Sequence, residues 1–325
     1  MINRTAYAFK MKRGHPAILP RAVMFHHFWN ADHPRGQGAI SADQLDAAID
    51  VLGVENILSP DEWRARAKAG TLTPHSTCLS FDDGLRCQYD IAAPVLRMRG
   101  LRAFWFIYSG PLTGEPDRLE LYRLFRTIAF PNIDAFHEAF FAAADEAMDA
   151  DERRRSSNIS VVRAHLFDYG FYSYADRRMR FIRDVILGPA RYFGIMDAMM
   201  SRWQFDSKNA VRRLWIDGDA IRALSDAGHE IGLHSHSHPT LLAAMTREQQ
   251  RMEFDRNRVE LMKIVKQAPT SASYPCNSYS SETIEILKDL GVDIAFRANL
   301  SQPYGSLMEI PRQDHVDLFE TLADD

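Results

Sequence analysis

The chain is short of cysteine, of long apolar runs and of surplus charge, and each shortage removes a class of explanation. Its three cysteines, Cys78, Cys87 and Cys276, are odd in number and lack the paired spacing of a metal ribbon or redox motif. They read as reduced thiols, which favours a cytoplasmic location. No stretch approaches the roughly 20 apolar residues that span a bilayer, so no transmembrane segment is expected. Residues 1–20 carry Lys10, Lys12 and Arg13, but no apolar run of signal-peptide length follows them. Basic and acidic residues nearly balance, 39 against 43, for a formal net charge of -4. Without a basic stripe to track a phosphate backbone, nucleic acid is not an expected partner. The sequence also lacks internal repeats. What remains is 325 residues, 46% hydrophobic and 25% charged, enough to bury a core without disulfides.

Short apolar runs alternate with helical patterns in the first third of the chain. Residues 21–28 (RAVMFHHF) start as a buried strand and end in His26 and His27. A helical pattern covers residues 43–58. A second strand, residues 77–81, is stopped by Asp82-Asp83-Gly84; a helix runs towards Gly100, and residues 103–108 (AFWFIY) make a third strand. From about 111 to 210 the character changes. Leu121, Leu124, Phe125 and Ile128 fall at helical spacing, as do Ile133, Phe136 and Phe140, and DADERRR is a solvated face. This stretch reads as a helical insertion, of a size to form a lid or subdomain, within a single catalytic domain covering residues 1–325. The alternation then resumes with a helix ending at Gly228, a strand over Glu230–Leu233, a capping box at Thr246 and Gln249, and further strands at residues 271–274 and 293–297. Strands alternating with helices indicate an α/β fold with a parallel sheet or barrel.

Two clusters carry chemistry. Asp82 and Asp83 sit side by side where an apolar strand ends, so their carboxylates point in different directions, and one can hold a cation while the other handles protons. An isolated DDG is more often only a polar turn. His234 and His238 flank His236 in HSHSHP, directly after a strand. A four-residue separation would put two imidazoles on one face if the chain made a helical turn there. One histidine alone would be a structural residue; three within five residues favour a metal. Two imidazoles with one carboxylate make a hydrolytic site with positions left for water and substrate.

The string LSFDDGLRCQYDIAAPVLRMRGLRAFWFI resembles the first motif block of the polysaccharide deacetylases (carbohydrate esterase family 4, the NodB-type domain), and GHEIGLHSHSHPTL resembles the second. SYPCNSYS is similar to the third, usually a Tyr-Pro-Tyr-Gly turn, here with Cys276 and Asn277 in the last two places. The resemblance covers residues 21–106 and 214–317 and leaves the insertion out. It implies a distorted (β/α) barrel with fewer than eight regular strands and a site at their C-terminal ends. It further implies that Asp83, His234 and His238 bind a divalent metal, most simply Zn2+, that Asp82 is the general base, and that the Cys276 N–H faces the oxyanion. His236 falls on a variable motif position. The arginine that usually steadies the base is missing from its block, and Arg312 in IPRQDH is the expected substitute. AVMFHHF resembles the first strand of a permuted subgroup that includes the poly-N-acetylglucosamine deacetylases, which makes His26 the general acid, with His27 and His315 as alternatives.

The function implied by this resemblance is metal-dependent removal of an acetyl or formyl group from an amino sugar, nucleotide-linked or lipid-linked and destined for a surface polysaccharide such as the lipopolysaccharide O-antigen. A hydrolase of the same fold acting on a non-sugar amide, and a sugar-binding relic without activity, remain the alternatives. An amidohydrolase would place its His-x-His early in the chain; here the cluster lies late and pairs with an upstream DDG.

Overall fold

The computed structural model describes residues 20–166, 172–300 and 305–318; the segment bearing Lys10, Lys12 and Arg13 lies outside the described residues. Among the described residues seven short strands form one sheet: β1 (Arg21–Phe25), β2 (Thr77–Asp82), β3 (Phe104–Ile107), β4 (Glu230–Leu233), β5 (Ser271–Ser273), β6 (Ile294–Phe296) and β7 (Arg312–Asp314). Their spatial order is β6-β5-β4-β3-β2-β1-β7, and every pair is parallel. Ile310, two residues ahead of β7, bridges to Phe296 of β6: its N–H donates to the Ala295 carbonyl at 2.9 Å and its carbonyl accepts from Arg297 N–H at 3.0 Å. The same segment thus meets both edges of the sheet. The result is a nearly closed (β/α) barrel with fewer than eight strands, as the resemblance implies.

Why these residues make strands follows from their burial. All six residues of β2 are buried, as are all four of β3, the pattern of a parallel strand covered on both sides. Register sets Phe25, Phe81 and Trp105 side by side on one face, with ring centroids 5.4 and 4.5 Å apart. The other face of the same strands carries Ser80 and Asp82, beside Phe104 and Phe106. Polar residues therefore alternate with apolar ones near the carboxyl ends of the strands. β7, with the polar sequence RQD, carries no apolar signal and was not foreseen as a strand.

The helix expected over residues 43–58 is shorter, Ala42–Leu52, because Gly53 takes φ 79 and ends it. A second helix, Pro60–Ala69, follows under a Ser59 cap with proline in its first turn. Only Pro60, Trp63 and Ala67 of this helix are buried, too sparse a stripe to read from sequence. The Thr246–Gln249 capping box opens Arg247–Val265, and helix Gly218–Asp226 stops shortly before Gly228 at φ 83, as expected. Among the described residues no helix is long and apolar enough to cross a membrane.

Residues Arg118–Arg212 form a second compact unit, built from helices. Its core joins Phe125, Phe136, Phe140, Tyr192 and Met196, so the helical spacing of Phe125, Phe136 and Phe140 marks a real face. Ile128, read as part of that stripe, is instead exposed. Inside the unit His137 faces Asp176 at 3.5 Å, both side chains almost wholly buried, and Asp176 accepts from Ser173 N–H at 3.1 Å and Ser173 Oγ at 2.8 Å. Burial alone would raise the Asp176 pKa; the His137 and Ser173 contacts outweigh it and hold the carboxyl well below its ordinary value. A depressed carboxylate stabilises the fold above its unfolded pKa of about 3.9, and that contribution fades as the pH falls through the folded value. Asp176→Asn is therefore expected to destabilise the protein by roughly 2 kcal/mol at pH 7, with the gap to wild type closing below about pH 4. Circular-dichroism melts across pH test this; equal melting temperatures at pH 7 would refute it.

Candidate metal centre

The DDG turn is a backbone device. Asp82 closes β2, and Asp83 and Gly84 follow at φ 77 and 61, two left-handed residues in succession. Aspartate tolerates that conformation better than most residues, and a Cβ on Gly84 would lie 3.0 Å from the Ile107 side chain. Gln88, fully buried, pins the turn: its amide donates to the carbonyls of Asp82 at 2.6 Å and His26 at 2.8 Å, and its oxygen accepts from Leu85 N–H at 3.2 Å. The reversal sends the two carboxylates to different partners, Asp82 to Arg312 and Asp83 to His234 and His238.

The histidine cluster does not make the helical turn considered from its spacing. Ser235 and His238 take φ 65 and 55, and the segment is a loop, braced by Ser235 Oγ accepting from His238 N–H at 3.1 Å. Two polar residues of helix Arg247–Val265 hold it. Glu253 accepts from the N–H groups of His236 at 2.9 Å and Ser237 at 2.7 Å, while Asn257 accepts from His234 N–H at 2.9 Å and donates to the Ile107 carbonyl at 2.9 Å. Neither residue was singled out in the sequence. The signal was there in Asn257, a polar side chain on the buried stripe with Gln250, Phe254 and Leu261.

These two loops bring Asp83, His234 and His238 together, with ligand atoms within 4.8 Å of one another. Asp83 Oδ1 lies 3.3 Å from Nε2 of each imidazole. His234 Nδ1 sits 2.9 Å from the Ser273 carbonyl, so that nitrogen carries the proton and Nε2 offers a lone pair towards Asp83. Asp83 Oδ1 is buried without a hydrogen bond of normal geometry. A buried carboxylate oxygen facing two imidazole nitrogens fits a cation: ligands at about 2.0–2.1 Å in a tetrahedron stand roughly 3.3–3.4 Å apart. The donor set of two nitrogens and one carboxylate oxygen suits zinc or a similar divalent ion. Burial would raise Asp83, but the charge of His238, the close approach of His234 and the charge of His26 drive its pKa far down. For His238 burial works downward, yet Cys276, Asp83 and Asp117 push it up to about 10. Asp117, absent from the sequence reading, stands 3.5 Å from His238 Nδ1.

His236 is outside this group. It is buried against Ser109 Oγ at 2.9 Å and faces Glu115 at 3.5 Å, consistent with its variable motif position. Asp82 turns instead to Arg312 of β7. The guanidinium grips both carboxylate oxygens, at 2.6 and 2.7 Å, and also reaches Ser80 Oγ, Ser273 Oγ and the Arg297 carbonyl. Burial raises Asp82, and Arg312, His234 and His26 more than offset it, so the group is ionised at neutral pH. His26 follows β1 directly, near enough for its charge to lower Asp82, Asp83 and Asp314. His27 stacks beside His26, at 6.4 Å between rings. His315 is engaged elsewhere, stacked on Phe25 with Nε2 at 2.9 Å from the Gly38 carbonyl. Cys276 and Asn277 both take left-handed φ, 50 and 57. Asparagine is the side chain best able to replace glycine there, and its Oδ1 accepts from Ala298 N–H at 2.7 Å.

Comparison with known proteins bears on the family and the fold. The polysaccharide deacetylase family model matches residues 197–295, the stretch that holds His234 and His238. The fold is similar to the Streptococcus pyogenes deacetylase PplD in complex with acetate, at 14% identity and a TM-score of 0.53 over 92% of this chain and 93% of that one. It is equally similar to IcaB from Ammonifex degensii, at 14% identity and 0.53 over 90% and 91%, and to the BpsB deacetylase domain from Bordetella bronchiseptica, at 14% and 0.52 over 93% and 98%. No curated relative matches the sequence. The resemblance to the polysaccharide deacetylases read from the motif blocks therefore holds in both sequence and fold.

Removing Asp83 should abolish the grip on a cation. Asp83→Ala is expected to bind zinc more than about 100-fold more weakly, beyond the 10–100-fold typical of losing an outer partner. Calorimetry on metal-depleted protein measures this; unchanged affinity would exclude Asp83 as a ligand.

Proposed function

We propose that the chain is a metal-dependent hydrolase that removes an N-acyl group, acetyl or formyl, from an amino sugar. The observation that carries the reading is the convergence of Asp83, His234 and His238 beside a second carboxylate, Asp82, held ionised by Arg312. A divalent cation held by the first three residues would supply Lewis acidity to the acyl carbonyl and to a water.

The chain's own groups divide the remaining work. Asp82 accepts the proton of the attacking water through a carboxylate oxygen. Its pKa is low, so it stands ready in the basic form, and Arg312 fixes its orientation. The Cys276 N–H donates to the oxygen on which charge develops; losing one such donor typically costs about 10²–10³ in rate. An amine leaves readily only when protonated, and His26, at the end of β1, delivers that proton. The products are a free amino sugar and acetate or formate. For the substrate we propose a nucleotide-linked or lipid-linked acylated sugar handled in the cytoplasm on the way to a surface polysaccharide such as the O-antigen.

Asp82→Asn separates metal binding from turnover. The variant is expected to keep its metal and to lose about 10²–10⁴ in rate. It leaves Arg312 buried without a counter-charge, so its melting temperature should also fall, and rates are compared below that temperature. The assay is release of primary amine from a panel of N-acylated amino sugars and non-sugar amides by the metal-loaded enzyme. Near-normal turnover by the variant would remove Asp82 as the base. Turnover confined to non-sugar amides would overturn the substrate class.

A further inference from the structure

The segment that follows β3, residues 109–117, runs against the histidine loop and holds it along its length. Ser109 N–H donates to the Ser235 carbonyl at 3.3 Å and Gly110 N–H to the His236 carbonyl at 2.7 Å, while Ser109 Oγ lies 2.9 Å from His236 Nδ1. Glu115 faces His236 Nε2 at 3.5 Å through one oxygen and meets Arg256 at 2.7 Å through the other. The approach is close enough to require glycine. A Cβ on Gly110 would lie 3.0 Å from the His236 carbonyl oxygen and nearer still to that of Glu115. Two residues further on, the same segment delivers Asp117 to His238.

The His238 imidazole is thereby set between two carboxylates. Nε2 faces Asp83 at 3.3 Å and Nδ1 faces Asp117 at 3.5 Å, while the ring stacks on Tyr108 with centroids 5.0 Å apart. Position divides the work of the two acids. Asp83 also reaches His234 and belongs to the group whose ligand atoms converge; Asp117 stands outside that group. His238 Nδ1 is buried without a hydrogen bond of normal geometry, and among the described residues Asp117 is the acceptor that faces it. The other imidazole has an anchor of the same kind, with His234 Nδ1 at 2.9 Å from the Ser273 carbonyl. A neutral imidazole that donates through Nδ1 keeps its Nε2 lone pair for a cation, and a carboxylate acceptor makes that lone pair more basic.

We propose that Asp117 is a positioning residue: its carboxylate accepts from His238 Nδ1–H and fixes the tautomer and orientation of that ring. The proposal rests on the reading of Asp83, His234 and His238 as metal ligands. It gives Asp117 no contact with the cation or the substrate.

Zinc calorimetry on the metal-depleted full chain tests it, with Asp117→Ala, Asp117→Asn and Glu115→Gln beside wild type. Loss of an outer partner of a metal-bound histidine typically weakens binding about 10–100-fold, and Asp117→Ala should fall in that range. Asp117→Asn, whose amide oxygen can still accept from Nδ1–H, should recover part of the loss. Glu115→Gln should bind zinc as wild type does, because Glu115 faces a histidine outside the ligand set and its ion pair with Arg256 is exposed. A second readout follows the proton itself. In zinc-loaded protein labelled with nitrogen-15 histidine, the His238 Nδ1–H resonance should lie downfield in wild type and move upfield in Asp117→Asn. Unchanged zinc affinity in Asp117→Ala, an equal loss in Glu115→Gln, or a His238 resonance indifferent to Asp117→Asn would overturn the assignment and leave the ligand set standing. A wild type that binds no zinc would overturn both.

Discussion

The buried pair of Asp82 and Arg312 is the constraint on which the barrel and its candidate chemistry both depend. Arg312 is 1% exposed, yet its guanidinium touches side chains of β2 and β5 and the backbone just after β6 from its own place on β7. It is a crosslink through the interior of a barrel whose last strand has almost no apolar content to hold it. Removing either partner of such a pair leaves an uncompensated buried charge, which typically costs about 3–5 kcal/mol. The same contact keeps a carboxylate ionised at the mouth of the strands. Closure of the sheet and the charge state of the proposed base are thus one interaction seen from two sides.

Much of this was legible in the sequence because the site is local. Strand ends announce themselves by apolar runs stopped by polar turns, and Asp82-Asp83 and the histidine cluster are such stops. Arg312 was expected from the motif departure alone, and the structure sets it against Asp82. What could not be read is what lacks period or apolarity: β7 is three polar residues, and helix Pro60–Ala69 buries only three side chains. The supporting residues Glu253, Asn257, Gln88 and Asp117 stayed hidden for another reason. Each acts across 6 to 150 residues of sequence on a loop it does not belong to, and only the folded chain brings them into place.

The histidine loop also corrects the reasoning that led to it. A separation of four residues invites a helical explanation, and the spacing of His234 and His238 does bring the imidazoles together, at 5.0 Å between ring centroids. They meet through a loop with two left-handed residues that are not glycine. Spacing was a sound guide to proximity and a poor guide to conformation, because a loop anchored at both ends can bring two side chains together as well as a helix can.

Left-handed φ at Ser235 and His238 carries a steric penalty of order 1–2 kcal/mol each, and the helix bearing Glu253 and Asn257 is what sustains it. The conformation of the histidine loop is therefore held by hydrogen bonds from a helix that contributes no residue to the candidate ligand set. A substitution at Glu253 or Asn257 would reach the imidazoles through the backbone, without touching either ring.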